Sequence, residues 1–436
     1  MADFAGTAIT NIDANFKQQF GDFVDLVPEG FILQDKKKVK FVNRDKQPGG
    51  VYRFPVEVSR EQGVTYAGPN SGAFALENPS SIVLQDAQIL GSNIVLSSAI
   101  GYEELSRALS TKQAFKTEMG LRMQSSLRSH RFRREFSLIY GRAGICTFPT
   151  NSDTAPSATT RALTSSAAQF SLGTWAQALQ ATVEFRDSGG TIVSTGDDSY
   201  FTVTYVDSDT RVVTFTGTST GCSDLTTALN SGAVTAYFKG SYDTGDSAGL
   251  YAIMNNATTL FNINAATYPL WKSNTVTYNG GTLTFGRVIN SLAKATSFGL
   301  MEKVTVLVSP NTWTDLATDV ASQRRPDGSY KSGQIDIGSE SIQYYSQNGA
   351  LEIVPHILVK DGDCFMVNLN DATRVGSTDV TFETPAVGYQ GSNFFYQLPS
   401  NAGVGIRNFS NYGLILEHPA QAVYVTGFVN SPVNEA

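Results

Sequence analysis

The sequence predicts an α+β protein: an N-terminal arm, an extended β-hairpin, one long spine helix, and a mixed helix–strand domain with a β-rich insertion. Three observations carry that prediction. From Tyr102 to about Tyr140 the chain runs as a single helical pattern, a long hairpin-like β segment leads straight into it, and directly behind it the composition shifts to Thr, Ser, Gly and Asp.

In the arm, residues 1–46, Ile12, Phe16, Phe20, Phe23 and Val24 recur at helical spacing until Pro28, which predicts one short amphipathic helix. A basic run, Lys36-Lys37-Lys38 and Lys40, follows it. Residues 47–100 change to a β pattern. Tyr52, Phe54 and Val56 alternate with polar positions, Val64 and Tyr66 continue the pattern, turn residues cluster at 69–72, and an extended return follows Phe74 and Leu76. An isolated two-stranded arm is marginal in water, so Tyr52, Phe54, Val64, Tyr66, Phe74 and Leu76 are expected to contact a neighbouring subunit.

Within the spine segment, 101–146, the helical pattern from Tyr102 to about Tyr140 would be on the order of 55 Å long at the rise of an α-helix. Tyr102, Leu105, Leu109, Phe115, Met119, Met123, Leu127, Phe136 and Ile139 form one apolar stripe, and Gly141 stands where a C-terminal glycine cap is expected. The helix carries nine bases against four acids in a chain of net charge −7. Arg122, Arg128, Arg131, Arg133 and Arg134 are either a solvated face that also offsets the helix dipole, or a basic stripe facing a polyanion.

Residues 147–245 hold short alternating strands around Val183, Val203 and Val213 with Asp/Ser/Gly turns and hardly any Lys, as in a small β-rich insertion. Beyond it, Phe285 to Phe298 reads as a helix stopped by Gly299. Val304 to Val308 reads as a buried strand, Ser309-Pro310 as a helix start, and Asn348-Gly349 as a hairpin turn.

Composition narrows the function classes. A sequence pI near 5.1 argues against a general nucleic-acid binder, so a polyanion contact must be local. Met1-Ala2-Asp3-Phe4 lacks the basic and apolar regions of a secretory signal, and no apolar run is long enough to predict a membrane span. Three scattered cysteines and three histidines form no metal-type spacing, and no cofactor is expected. Gly217-Thr218-Ser219-Thr220-Gly221 matches the spacing of a nucleophile elbow, which keeps a serine hydrolase using Ser219 as an alternative. Its neighbours, however, are Thr-rich hairpin strands rather than parallel βα units. Asp187-Ser188-Gly189, Asp243-Thr244-Gly245, Asp207-Ser208-Asp209 and Asp361-Gly362-Asp363 read as turns rather than as proteolytic or calcium sites. No enzyme is predicted.

The order of elements resembles the major capsid proteins of tailed bacteriophages, with the Hong Kong 97-like fold. Local stretches carry the resemblance: Gly63-Val64-Thr65-Tyr66-Ala67-Gly68, Ala73-Phe74-Ala75-Leu76-Glu77-Asn78-Pro79, Gly91-Ser92-Asn93-Ile94-Val95-Leu96, Phe136-Ser137-Leu138-Ile139-Tyr140-Gly141, Tyr268-Pro269-Leu270-Trp271 and Ser309-Pro310-Asn311-Thr312-Trp313. It implies an extended loop at 47–100, a peripheral domain on the spine helix (101–146 and 246–277), an axial domain at 278–379 and a return to the peripheral region at 380–436. It further implies self-assembly into hexamers and pentamers of an icosahedral shell around packaged double-stranded DNA, in a virion assembled in the host cytoplasm. The implied partners are other copies of the chain, a portal protein, the DNA through non-specific contact, and decoration proteins in some relatives; no membrane is implied. Two departures add expectations. Only a short arm precedes Gln47, which predicts a separate scaffolding protein, and no Lys lies between Val51 and Ile100, which predicts no covalent cross-link from the loop. The insertion, being poor in positive charge, is expected on the outer surface. Another virion or tail structural protein is the remaining alternative.

Overall fold

The computed structural model describes residues 31–43, 51–101, 112–154, 157–323, 342–346, 349–382, 395–397 and 403–431. The amphipathic pattern at 12–24, the first part of the spine pattern at 102–111, and Asn348 lie outside the described residues.

Three sheets and one long helix organise the chain. The helix Lys112–Ile139 has 28 residues, about 42 Å at the ordinary rise. It lies on a sheet in which Gly403–Leu416 pairs antiparallel with both Ser92–Gly101 and Ala372–Thr381, while Lys40–Asn43 adds a parallel edge strand. Gly141 takes φ +51° and ends the helix as expected; a Cβ there would stand 2.2 Å from the Ser247 carbonyl oxygen. Gly141 also bridges to Ala248, so the two ends of the intervening segment meet at the foot of the helix.

That segment is the β-rich insertion. Its six strands run in the order Cys146–Phe148, Val234–Phe238, Thr182–Arg186, Tyr200–Asp207, Val212–Thr216 and Thr160–Thr164, and every pairing is antiparallel. Alternation puts Phe185, Phe201 and Phe215 on one face, with ring centroids 5.0 and 5.1 Å from that of Phe185, and Trp175 completes the cluster. Each such side chain contributes roughly 1.5–3 kcal/mol on burial. The helix Ser219–Ser231 closes the layer with Cys222, Leu225 and Leu229. The insertion is not a separate bead: Phe238 meets Phe136 of the spine edge-on at 5.1 Å, and one continuous core runs through both.

The last sheet mixes parallel and antiparallel pairs in the order Asn274–Thr277, Val423–Thr426, Asp363–Val367, Val304–Val308, Gly349–Pro355 and Ile342–Ser346. The helices Phe285–Ser297 and Pro310–Gln323 pack on it, the first capped by Thr284 and the second by Ser309. The expected range 278–379 differs from this sheet at both ends. Asn274–Thr277 and Val423–Thr426 join it from outside, and Ala372–Thr381 leaves for the sheet beneath the spine.

The β arm is shorter than one hairpin over 47–100. Tyr52–Ser59 pairs with Val83–Ile89, whereas Ser92–Gly101 leaves the ribbon for the spine sheet. The crossing is at Gly91, where a Cβ would lie 2.9 Å from Asn411 Oδ1.

Candidate assembly surface and buried polar hub

The arm divides into a supported base and an unsupported tip. Tyr52, Ala87 and Ile89 are buried in a cluster with Ile263, Trp271, Val375 and Ile415, and Phe54 packs against it. The Tyr52 hydroxyl donates to Asn411 Oδ1 at 3.0 Å, and Gln85 Nε2 donates to the Tyr268 hydroxyl at 3.2 Å. The expectation that Tyr52 faces a neighbouring subunit is therefore corrected: the loop around Phe261 to Trp271 of the same chain covers that face, while Phe54 stays half-buried at its edge. Among the described residues, the ribbon beyond Ser59 keeps the Gln62–Ser80 bridge, a bond from Glu77 N to Thr65 Oγ1 and the turn from Gly68 to Ser71. There Val64, Tyr66, Phe74 and Leu76 are 66, 92, 53 and 78% exposed.

The five spine arginines separate in the same way. Arg131 is exposed and Arg128 half-buried. Arg122 Nη1 donates to Ala99 O at 3.0 Å, tying the helix to the strand beneath. Arg133 lays its guanidinium 3.3 Å from the Phe238 ring centroid. Arg134 is 1% exposed. Its Nε donates to Ser410 Oγ at 2.5 Å, Nη1 to Ser92 Oγ at 3.0 Å and Tyr412 O at 3.3 Å, and Nη2 to Ser92 O at 2.6 Å and Ser410 O at 2.5 Å. The expectation of a basic face extending through Arg133 and Arg134 is corrected: Arg134 is an internal staple, and Arg133 is spent on the insertion. From His130 onward the helix is buried on nearly every side, because sheet, insertion and N-terminal segment all converge there. A one-stripe pattern cannot anticipate that.

Asp246 extends the staple, its Oδ1 accepting Ser92 Oγ at 2.8 Å, Ser137 Oγ at 2.5 Å and Ser247 N at 2.7 Å. His130, bonded to Ser410 Oγ at 2.7 Å, is pushed down to about 4 by burial and then by Arg134, so it stays neutral.

Glu135 is a second hub that sequence reasoning missed. Fully buried, it accepts Ile32 N at 2.8 Å and Leu33 N at 2.7 Å on one oxygen and Gln34 N at 3.1 Å on the other. Leu358 N donates to His356 Nδ1, which leaves the ring proton on Nε2, 3.1 Å from Glu135 Oε1. Burial acts first and raises the carboxyl, but the hydrogen bond from His356 and the Leu33 and Ile32 amides outweigh it and hold Glu135 below its ordinary value. Its contribution is thus complete above the ordinary carboxylate value of about 4.5 and is lost as pH falls through the lower folded value. Acidification below about pH 4.5 should release residues 32–34, read as faster hydrogen exchange of their amides; Glu135→Gln should release them already at pH 7. Protection unchanged in the variant would sink this account.

A third hub joins spine, insertion and mixed sheet. Asp363 accepts the Tyr140 hydroxyl at 2.9 Å and the Tyr424 hydroxyl at 2.6 Å, and Lys360 Nζ donates to Gln169 Oε1 at 3.2 Å. Burial pushes Asp363 up and Lys360 down, each countered by the other's charge.

Nothing catalytic gathers around Ser219. It is exposed on a helix that follows an antiparallel strand, without the parallel βα setting a nucleophile elbow requires, and Thr218 caps that helix through Gly221 N. His130, His356 and His418 bond to Ser410, Glu135 and Asp371. Asp187 and Asp207 accept backbone amides two residues on, as turn residues do. All three cysteines are buried thiols, Cys146 pushed up to about 12 by burial. Among the described residues no His/Cys/Asp/Glu group could hold a metal ion, and no helix is long and apolar enough to cross a membrane.

No protein-family model matches the sequence, and no curated protein matches it. Solved structures are similar to it. The cyanophage A-1(L) capsid asymmetric unit matches at TM-score 0.49 and 12% identity, over 95% of this chain and 98% of that one. The capsid of a native GTA particle matches at TM-score 0.43 and 8% identity, over 96% and 98%. A structure from Mycobacterium phage Bobi matches at TM-score 0.42 and 9% identity, over 98% and 100%, so that in each case the similarity runs along nearly the whole of both chains.

Proposed function

We propose that this chain is the major capsid protein of a tailed bacteriophage, which assembles into hexamers and pentamers of an icosahedral shell enclosing packaged double-stranded DNA. The exposed tip of the β arm carries this reading. An extended segment that presents Val64, Tyr66, Phe74 and Leu76 to solvent, on a base held rigidly by its own subunit, supports a contact made on another copy of the chain. Such contacts between unlike surfaces close into shells when the rotation permits. In this reading the mixed sheet with its two helices is the axial domain, and the sheet under the spine is the peripheral one. The insertion faces outward. A separate scaffolding protein and a portal protein are the assembly partners, decoration proteins bind where a particle has them, and the site of action is the virion, assembled in the host cytoplasm.

Negative-stain microscopy of the purified protein, with and without a co-expressed scaffold, tests it. Closed shells are the expected result. Tubes or rings would favour another virion or tail structural protein, and persistent monomers in both conditions would overturn the proposal.

A further inference from the structure

The N-terminal segment brings together two charge features that lie about 90 residues apart in the chain. Ile32, Leu33 and Gln34 clasp Glu135 with three successive amides, and Gln34 Nε2 donates to Arg131 O at 2.5 Å. The chain then makes one hydrogen-bonded turn. Lys38 N and Val39 N donate to Asp35 O at 3.0 and 2.9 Å, and Lys37 N donates to Asp35 Oδ1 at 2.9 Å. Val39 is fully buried, and Phe31 and Phe41 pack against the core on either side. Lys36, Lys37 and Lys38 therefore fan outward, Lys40 is exposed at the start of the edge strand, and the first of them follows Gln34 by no more than roughly 7 Å of chain. Exposed Arg131 lies on the same helix face as Glu135, one turn earlier. Lys36 pairs with Asp379 at 3.0 Å, leaving Lys37, Lys38 and Lys40 as the outward charges of the turn.

We infer that Lys37, Lys38, Lys40 and Arg131 form a contact surface for the phosphate backbone of double-stranded DNA. The inference rests on the capsid reading, which supplies the genome as the polyanion, and it places the DNA contact on this turn rather than on Arg133 and Arg134. A chain of net charge −7 repels DNA as a whole, so binding needs a local concentration of positive charge. Three lysines and one arginine, with no exposed large apolar residue from 31 to 43, suit a sequence-independent phosphate contact. A stable acidic protein partner would instead need an apolar anchor in the same surface.

The test measures binding of an about 30-base-pair duplex to the unassembled full-length protein by fluorescence anisotropy, between about 50 and 200 mM salt. The triple variant Lys37→Gln/Lys38→Gln/Lys40→Gln should lose at least about tenfold in affinity and about 2.7 from the slope of log K against log salt, close to 0.9 for each contact removed. Lys36 is retained for its ion pair with Asp379. Affinity and slope equal to wild type would overturn the inference, and so would tighter binding of a poly-glutamate peptide than of DNA, which would assign the patch to an acidic protein. Shell formation is scored separately. Shells formed by a variant whose DNA binding is unchanged overturn the patch alone, whereas wild-type protein that never forms shells overturns the capsid reading and the genome contact with it.

Discussion

Arg134→Ala should destabilise the unassembled subunit by about 3 kcal/mol, the order expected when buried acceptors lose a charged donor and a cavity is left. The guanidinium serves five acceptor contacts on Ser92, Ser410 and Tyr412, so truncation leaves buried oxygens short of donors and opens a cavity between helix and sheet. Arg134→Lys should recover little, since an ammonium cannot reproduce a fork that reaches two strands at once. Exposed Arg131→Ala should stay within about 0.5 kcal/mol of wild type. Urea denaturation of the three variants is the measurement. Equal midpoints for Arg134→Ala and Arg131→Ala would mean that the staple does not hold helix to sheet.

The tip prediction has the opposite signature, normal folding with failed assembly. With Val64, Tyr66, Phe74 and Leu76 all replaced by Asp, the subunit should unfold at the wild-type denaturant concentration, because these side chains are largely solvated already. Assembly should fail. Each apolar side chain buried on a neighbour contributes roughly 1.5–3 kcal/mol, so losing four raises the concentration needed for shell formation at least about ten-thousandfold. Sedimentation velocity across a dilution series reads this directly. Shells at unchanged concentration would refute the assembly role of the tip, and a lowered unfolding midpoint would show that the tip packs on its own subunit.

Elements with a strong local signal were legible in the sequence to within a few residues. The spine ends at Ile139 with Gly141 behind it, Ser309-Pro310 opens a helix, and Val304–Val308 is a fully buried strand. The insertion was legible as β-rich, yet Thr160–Thr164 and Val234–Phe238 went unread because their pairing partners lie far along the chain. The long strand Gly403–Leu416 was hidden for the same reason. Its Gly, Ser and Asn residues have weak strand preference, and three partner strands hold it extended. Of the candidate site residues, Val64, Tyr66, Phe74 and Leu76 stand exposed on the tip, Tyr52 is turned inward, Phe54 is half-buried, and the arginine set was only partly legible. Charge in a helical pattern does not distinguish a solvated face from one satisfied by another element.

The sequence by itself determined which segments are helix, arm and insertion, because periodicity, caps and turn residues act over a few positions. Tertiary structure alone decided the fate of the polar groups. Arg134 became a staple because Ser92 and Ser410 are adjacent on paired strands more than 300 residues apart. Glu135 became an anchor because the chain about 100 residues earlier folds back over it, which also brings Gln34, two residues before Lys36, onto the Arg131 carbonyl. A buried charge is stable only when partners converge on it, and that convergence is a property of the assembled fold.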